Sequence, residues 1–115
     1  MIKDTTTKNR LVSKKKFAKT FFQRMRGLMF TRPIFEEGLI FIFPKDIEAS
    51  LHMFFFFYPI DILWLDKHKR VVDLRKKVWP FTPLIIPKEK ARYVIELPPY
   101  TLDNSETEIG NKISF

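Results

Sequence analysis

Gly38-Leu39-Ile40-Phe41-Ile42-Phe43-Pro44 decides the fold class. Five apolar residues, β-branched and aromatic among them, stand between a glycine and a proline. The run is too short for a helix with a buried face, so it reads as a buried strand closed by Pro44. The same texture recurs in Leu51 to Tyr58 and in Ile60 to Leu65, with Pro59 marking a break between them. After the polar turn Asp66-Lys67-His68-Lys69 comes Arg70 to Trp79, where Val72, Leu74 and Val78 alternate with Asp73, Arg75 and Lys77. That period of two predicts a strand with one face buried. Arg92 to Leu97 is the next strand. Between them Pro80, Pro83 and Pro87 forbid a regular ladder, leaving a surface loop that carries Phe81, Leu84, Ile85 and Ile86.

Upstream, Arg10 to Lys16 supplies a first edge strand, and Thr20-Phe21-Phe22-Gln23 has the form of a capping box. A helix from Phe21 to Phe30 follows, with Phe21, Phe22, Met25, Leu28 and Met29 at three- and four-residue steps. A short turn from Pro33 to Glu37 ends at Gly38. The tail offers a helical turn at Asn104 to Thr107, a Gly110-Asn111 turn and a last strand, Lys112 to Phe115. The expectation is a β-dominated α+β domain: a strongly curved or partly closed antiparallel sheet with one main helix packed on it. Residues 1–9 are expected to be a flexible segment and residues 10–115 a single compact domain.

Composition bounds the chemistry. The 115 residues, 45% hydrophobic and 30% charged, suffice for one small core. With no cysteine, a disulfide scaffold, a thiol nucleophile, a thiolate metal site and an iron-sulfur cluster are all excluded. The net charge of +8 is uneven. Residues 1–32 hold ten Lys or Arg against Asp4 alone, and residues 67–92 hold nine against two acids. If these blocks meet they form a steering patch for nucleic acid, anionic lipid or an acidic protein; otherwise they are a solvated, lysine-rich surface. The run Phe17 to Phe30 is broken by Lys19, Arg24 and Arg26, and Leu51 to Leu65 is too short and contains His52, Pro59 and Asp61. Neither is a signal sequence or a membrane span, which points to a cytoplasmic protein.

Ala18, Arg26-Gly27-Leu28-Met29, Arg32, Gly38 and Phe41-x-Phe43 resemble the opening pattern of domain-of-unknown-function family 192, small bacterial and archaeal proteins. His52-Met53 and Pro59-Ile60-Asp61-Ile62 resemble its central segment in the archaeal form. Asp66, Val71-Val72, Pro80, Tyr93 to Pro98 and Gly110 continue the match in order. Two departures stand out: Tyr100 where the family has a glycine at or beside that position, and Asn111 where it has an aspartate. The resemblance implies a compact β-rich fold and no particular activity.

Three function classes follow from the residues. The leading one is a small non-enzymatic binding module, its face built from Trp79, Phe81, Arg75 and Lys77, with Arg26 and Arg32 as guanidinium clamps for a carboxylate or phosphate. An unknown ligand or protein is its partner, and monomer or weak dimer its state. The second is nucleic-acid binding through residues 1–32 and 67–92, which predicts affinity that falls steeply with salt. The third is a hydrolase-like enzyme using His52, Asp61 and Glu96, with His52 and Asp61 as a tuned dyad or Asp61 and Glu96 as paired carboxylates. The plain reading of the same residues is a buried polar set that satisfies itself, with Arg26 locking Asp61 or Glu96. Two histidines, His52 and His68, one of them in a charged turn, argue against a metal site, and no cofactor is implied.

Overall fold

The structure is a computed structural model and describes residues 1–18, 36–51 and 58–115. Its strands are β1 (Ile2–Asp4), β2 (Asn9–Val12), β3 (Lys14–Ala18), β4 (Glu37–Ile47), β5 (Ile60–Leu65), β6 (Val71–Val78), β7 (Ala91–Leu97) and β8 (Ile113–Ser114), with a short helix α1 (Thr101–Ser105) before β8. The fold is β-dominated α+β. The expected helix at 21–30, its capping box at 20–23 and most of the 51–58 strand lie outside the described residues, as does most of the 33–37 turn.

A five-stranded sheet runs β3-β4-β7-β5-β6, and a three-stranded sheet runs β2-β1-β8. The pairs are antiparallel except β3 with β4, which is parallel. β5 lies between β7 and β6, and all six of its residues are buried. One face of the large sheet carries Phe41, Ile60, Ile62, Trp64 and Val94, packed with Ala18, Ala49, Tyr58 and Ile85. The other carries Ile40, Leu63, Leu65, Ile95 and Leu97, and onto it pack Ile2, Leu11, Val12, Leu102 and Ile113 from the small sheet and α1. Both faces being covered explains why β5 is buried along its whole length rather than at alternate residues.

Several sequence expectations are corrected. The single edge strand over 10–16 is two strands in different sheets, split at Ser13, whose amide donates to Glu36 Oε2 at 3.2 Å while the Lys14 amide donates to Glu36 O at 2.9 Å. The polar segment 1–9 is not a loose end. Ile2 is fully buried, and buried Asp4 accepts from the amides of Thr6 and Thr7 and from Asn111 Nδ2. An apolar anchor, a turn-forming carboxylate and the pairing of β1 with β2 and β8 together fix the polar stretch. Gly38 does not stop a helix; it lies inside β4, where a Cβ would stand 2.7 Å from Ile2 Cδ1 and 3.0 Å from Leu97 Cδ2. Pro44 does not close the strand either. The β4–β7 register breaks between Ile42 and Ile47, so the missing N–H of Pro44 interrupts no ladder. The terminal helical turn begins at Thr101 rather than Asn104.

The strand alternation predicted for β6 fails at Asp73, which is buried. Its Oδ1 accepts from the Leu74 amide and from Arg75 Nη1 at 2.7 Å, and its Oδ2 from the Lys88 amide at 2.9 Å. A carboxylate with three donors can stand on the buried face, which a hydropathy pattern does not register.

Candidate functional site

The end of β6 is shaped by a bulge. Ile60 pairs with Val78 and Ile62 with Arg75, so Lys76 and Lys77 together stand opposite Asp61. Two residues against one bends the strand, re-aims its side chains and takes an amide out of the ladder. The Lys77 amide donates instead to Asp61 Oδ1 at 2.8 Å, and Lys77 has φ 49°. Asp61 Oδ2 accepts from the Leu102 amide, in α1, at 2.9 Å. Asp61 is fully buried, and burial pushes its carboxyl pKa up while the two backbone N–H groups pull it back. A single buried carboxylate thus ties β6 to α1.

A cleft of ≈ 470 Å³ opens above this tie, lined by Pro59, Lys76, Lys77, Trp79 and Tyr100. Trp79 is 75% exposed and Tyr100 56%. Asp103, on α1, holds Lys76 Nζ at 2.7 Å and Lys77 Nζ at 3.5 Å, and the Lys76 hydrogen bond holds the Asp103 carboxyl below its ordinary range. Lys77 Nζ also lies 4.8 Å from the centre of the Tyr100 ring, within cation–π range. Tyr100 has φ 70°, a left-handed backbone that a bulky residue adopts at a cost of roughly 1 kcal/mol or more.

The residues expected to bind are therefore divided. Trp79 and Lys77 share the cleft. Phe81, with φ 63°, is half-exposed on the 79–90 loop beyond it. Arg75 is not among the residues lining the cleft: besides Asp73 it donates to the carbonyls of Leu74 and Ile86, and its guanidinium sits 5.8 Å from the Trp64 ring. Arg26 and Arg32 lie outside the described residues, as does His52. In the sequence Tyr100 stands out only as a departure from the family pattern, and its neighbours Pro98 and Pro99, which favour a turn, are the signal that marks it.

The paired-carboxylate geometry does not form. Asp61 pairs with Leu97 while Glu96 pairs with Ile62, so Asp61 and Glu96 project from opposite faces of the sheet. Among the described residues no three His, Asp or Glu side chains gather to hold a metal.

Among the described residues the basic blocks meet at one point, away from the cleft. Phe115 packs 5.2 Å from Tyr93 and 6.3 Å from Phe17, with Lys69 Nζ 3.9 Å from its ring and Lys15 Nζ 5.8 Å from that of Phe17. Other cations are neutralised locally, Arg10 by Glu36 at 3.4 Å and Lys16 by Glu37 at 3.3 Å.

The family model described as uncharacterized ACR matches residues 2–115. The chain belongs to domain-of-unknown-function family 192. Among family members, a UPF0127 protein of Thermococcus sibiricus is 43% identical over 103 residues, covering 87% of this chain and 64% of that one. The chain thus spans just under two thirds of that relative. A UPF0127 protein of Pyrococcus horikoshii is 40% identical over 103 residues, covering 87% of this chain and 85% of that one. A solved structure of unknown function from Novosphingobium aromaticivorans superposes with TM-score 0.83 at 22% identity, over 88% of this chain and 74% of that one, which shows the same fold. The left-handed φ of Tyr100 is one that a glycine would adopt without strain. Among the described residues no helix is long and apolar enough to cross a membrane.

Proposed function

We propose that the chain is a small ligand-binding module whose site is the cleft between Trp79 and Tyr100. The observation that carries this reading is the convergence of two exposed aromatic rings and a lysine on one concave site whose two walls are tied from beneath by Asp61. Large exposed aromatics stay in water only at a cost, and backbone strain at Lys77 and Tyr100 adds to it. Hydrolysis is disfavoured, because both oxygens of Asp61 are engaged by backbone amides and Glu96 lies across the sheet.

The test is a two-dimensional amide NMR titration of the full chain with a mixture of small ring compounds. Shifts are expected at the Trp79 indole N–H and at the Lys77 and Tyr100 amides, and they should vanish in Trp79→Ala. Shifts confined to other surfaces, or no shifts at all, would remove the cleft as a binding site.

A further inference from the structure

Resting on that reading, we propose that the cleft takes a small ring compound carrying one carboxylate, whether an acid of a pyranose sugar or an aromatic acid. Charge sets the first half of this class. Two ammonium groups line the cleft, and Asp103 is the carboxylate that meets them. It binds Lys76 Nζ at 2.7 Å but reaches Lys77 Nζ only at 3.5 Å. Lys76 is thus held closely, while Lys77, at the longer distance and beside the Tyr100 ring, is the ammonium group that a ligand carboxylate meets first. A single negative group suits it, whereas a phosphate monoester brings closer to two charges and would crowd Asp103.

Shape sets the second half. Lys77 Nζ stands 4.8 Å from the Tyr100 ring centre, so an anion bound there lies beside an aromatic face, with Trp79 and Pro59 on the same cleft. Flat apolar walls next to a cation favour a ring directly bonded to its acid group over an aliphatic acid. A volume of ≈ 470 Å³ suits a ligand of one or two rings. A nucleic-acid strand fits less well, since it needs a continuous basic track. The lysines of β3 are on the far edge of the sheet from β6, and Lys69 lies at the other end of β6, roughly 25 Å away at about 3.3 Å per residue.

One structural detail keeps the arrangement in place without taking part in ligand contact. Asp61 fixes the Lys77 backbone on one side and the start of α1 on the other. Lys77 and Tyr100, both with left-handed φ, line the cleft together.

The experiment uses matched pairs in NMR titrations of the full chain: methyl glucuronoside against methyl glucoside, benzoate against phenol, with acetate and uridine monophosphate as further arms. The acid of at least one pair is expected to bind ten-fold or more tightly than its neutral twin, and the pair that responds identifies the source. Lys77→Gln, which keeps the amide that Asp61 holds, should abolish the preference of each acid over its neutral twin. Asp103→Asn should tighten the acids several-fold and bring uridine monophosphate up most. Equal binding within both pairs, acetate matching the ring acids, or uridine monophosphate binding ten-fold tighter than either acid would each overturn the ligand class while leaving the cleft a binding site. If no compound shifts Trp79 or Tyr100, the binding reading itself falls.

Discussion

At the scale of single residues, Asp61 carries the most consequence. Its oxygens satisfy two amides that no ladder reaches, one freed by the β6 bulge and one at the start of α1. Asp61→Asn turns one acceptor into a donor aimed at an N–H, and a loss of about 2–3 kcal/mol is expected in urea unfolding. The pH dependence has a defined sign. Burial raises the folded-state pKa, so the folded protein holds this proton to higher pH than the unfolded chain does. The contribution favours folding below the ordinary aspartate value and is lost as pH rises through the raised one. The stability gap between wild type and Asp61→Asn should therefore shrink from the acid end upward, and a gap that widened instead would show the two amide bonds outweighing burial. Tyr100→Gly relieves the left-handed strain while loosening the unfolded chain, so stability should move by less than about 1 kcal/mol. Ligand shifts at the cleft should fall sharply in that variant. At Gly38 the limit is space, and Gly38→Ala should lower stability by about 1 kcal/mol. Trimming the clash with Ile2→Val in the same chain should recover part of that, as thermal unfolding of the two variants would show.

Among elements, the segment from Trp79 to Lys90 is a loop without a ladder of its own, yet it is fastened along its length. Thr82 Oγ1 donates to Trp79 O at 2.7 Å, Ile85 and Leu51 exchange backbone hydrogen bonds at 2.8 and 2.9 Å, and Asp73 holds the Lys88 amide. Ile85 turns into the core while Leu84 and Ile86 on either side of it face water. The Asp73–Arg75 pair is the fastening to break, since Asp73 is buried and its loss leaves a guanidinium beside Trp64 without its carboxylate. Asp73→Ala should cost about 3 kcal/mol or more, against less than about 1 kcal/mol for the exposed Arg10–Glu36 pair. Hydrogen exchange should quicken at Lys88 and its neighbours in Asp73→Ala and stay slow in β7.

For the whole molecule, charge placement decides what the +8 does. Lys14, Lys15 and Lys16 on β3 and the lysines at the end of β6 are separated by the width of the sheet, and several cations already face acids. Oligonucleotide binding read by fluorescence anisotropy should accordingly be weak and gone by physiological salt, with Lys14, Lys15, Lys16→Glu removing what remains at low salt. Micromolar binding that survived physiological salt would point instead to the patch where Lys15, Phe17, Lys69 and Phe115 meet.

Much of this molecule is written locally. The runs after Gly38 and Pro59, the Asp66 to Lys69 turn and the prolines after Trp79 determine strands, hairpin and loop, because strand propensity and turn chemistry act over a few residues. Trp79 and Lys77 were legible as surface candidates for the same reason: a bulky aromatic beside a proline, at the end of an alternating strand. What the sequence could not decide was pairing. Whether Asp61 and Glu96 share a face depends on the register of β5 against β7, and a shift of one residue reverses it. The meeting of Tyr100 with Lys77, and the burial of Asp61 and Asp73, arise from contacts between segments far apart in the chain, where desolvation and the supply of hydrogen-bond donors are set only once the two sheets close on their cores.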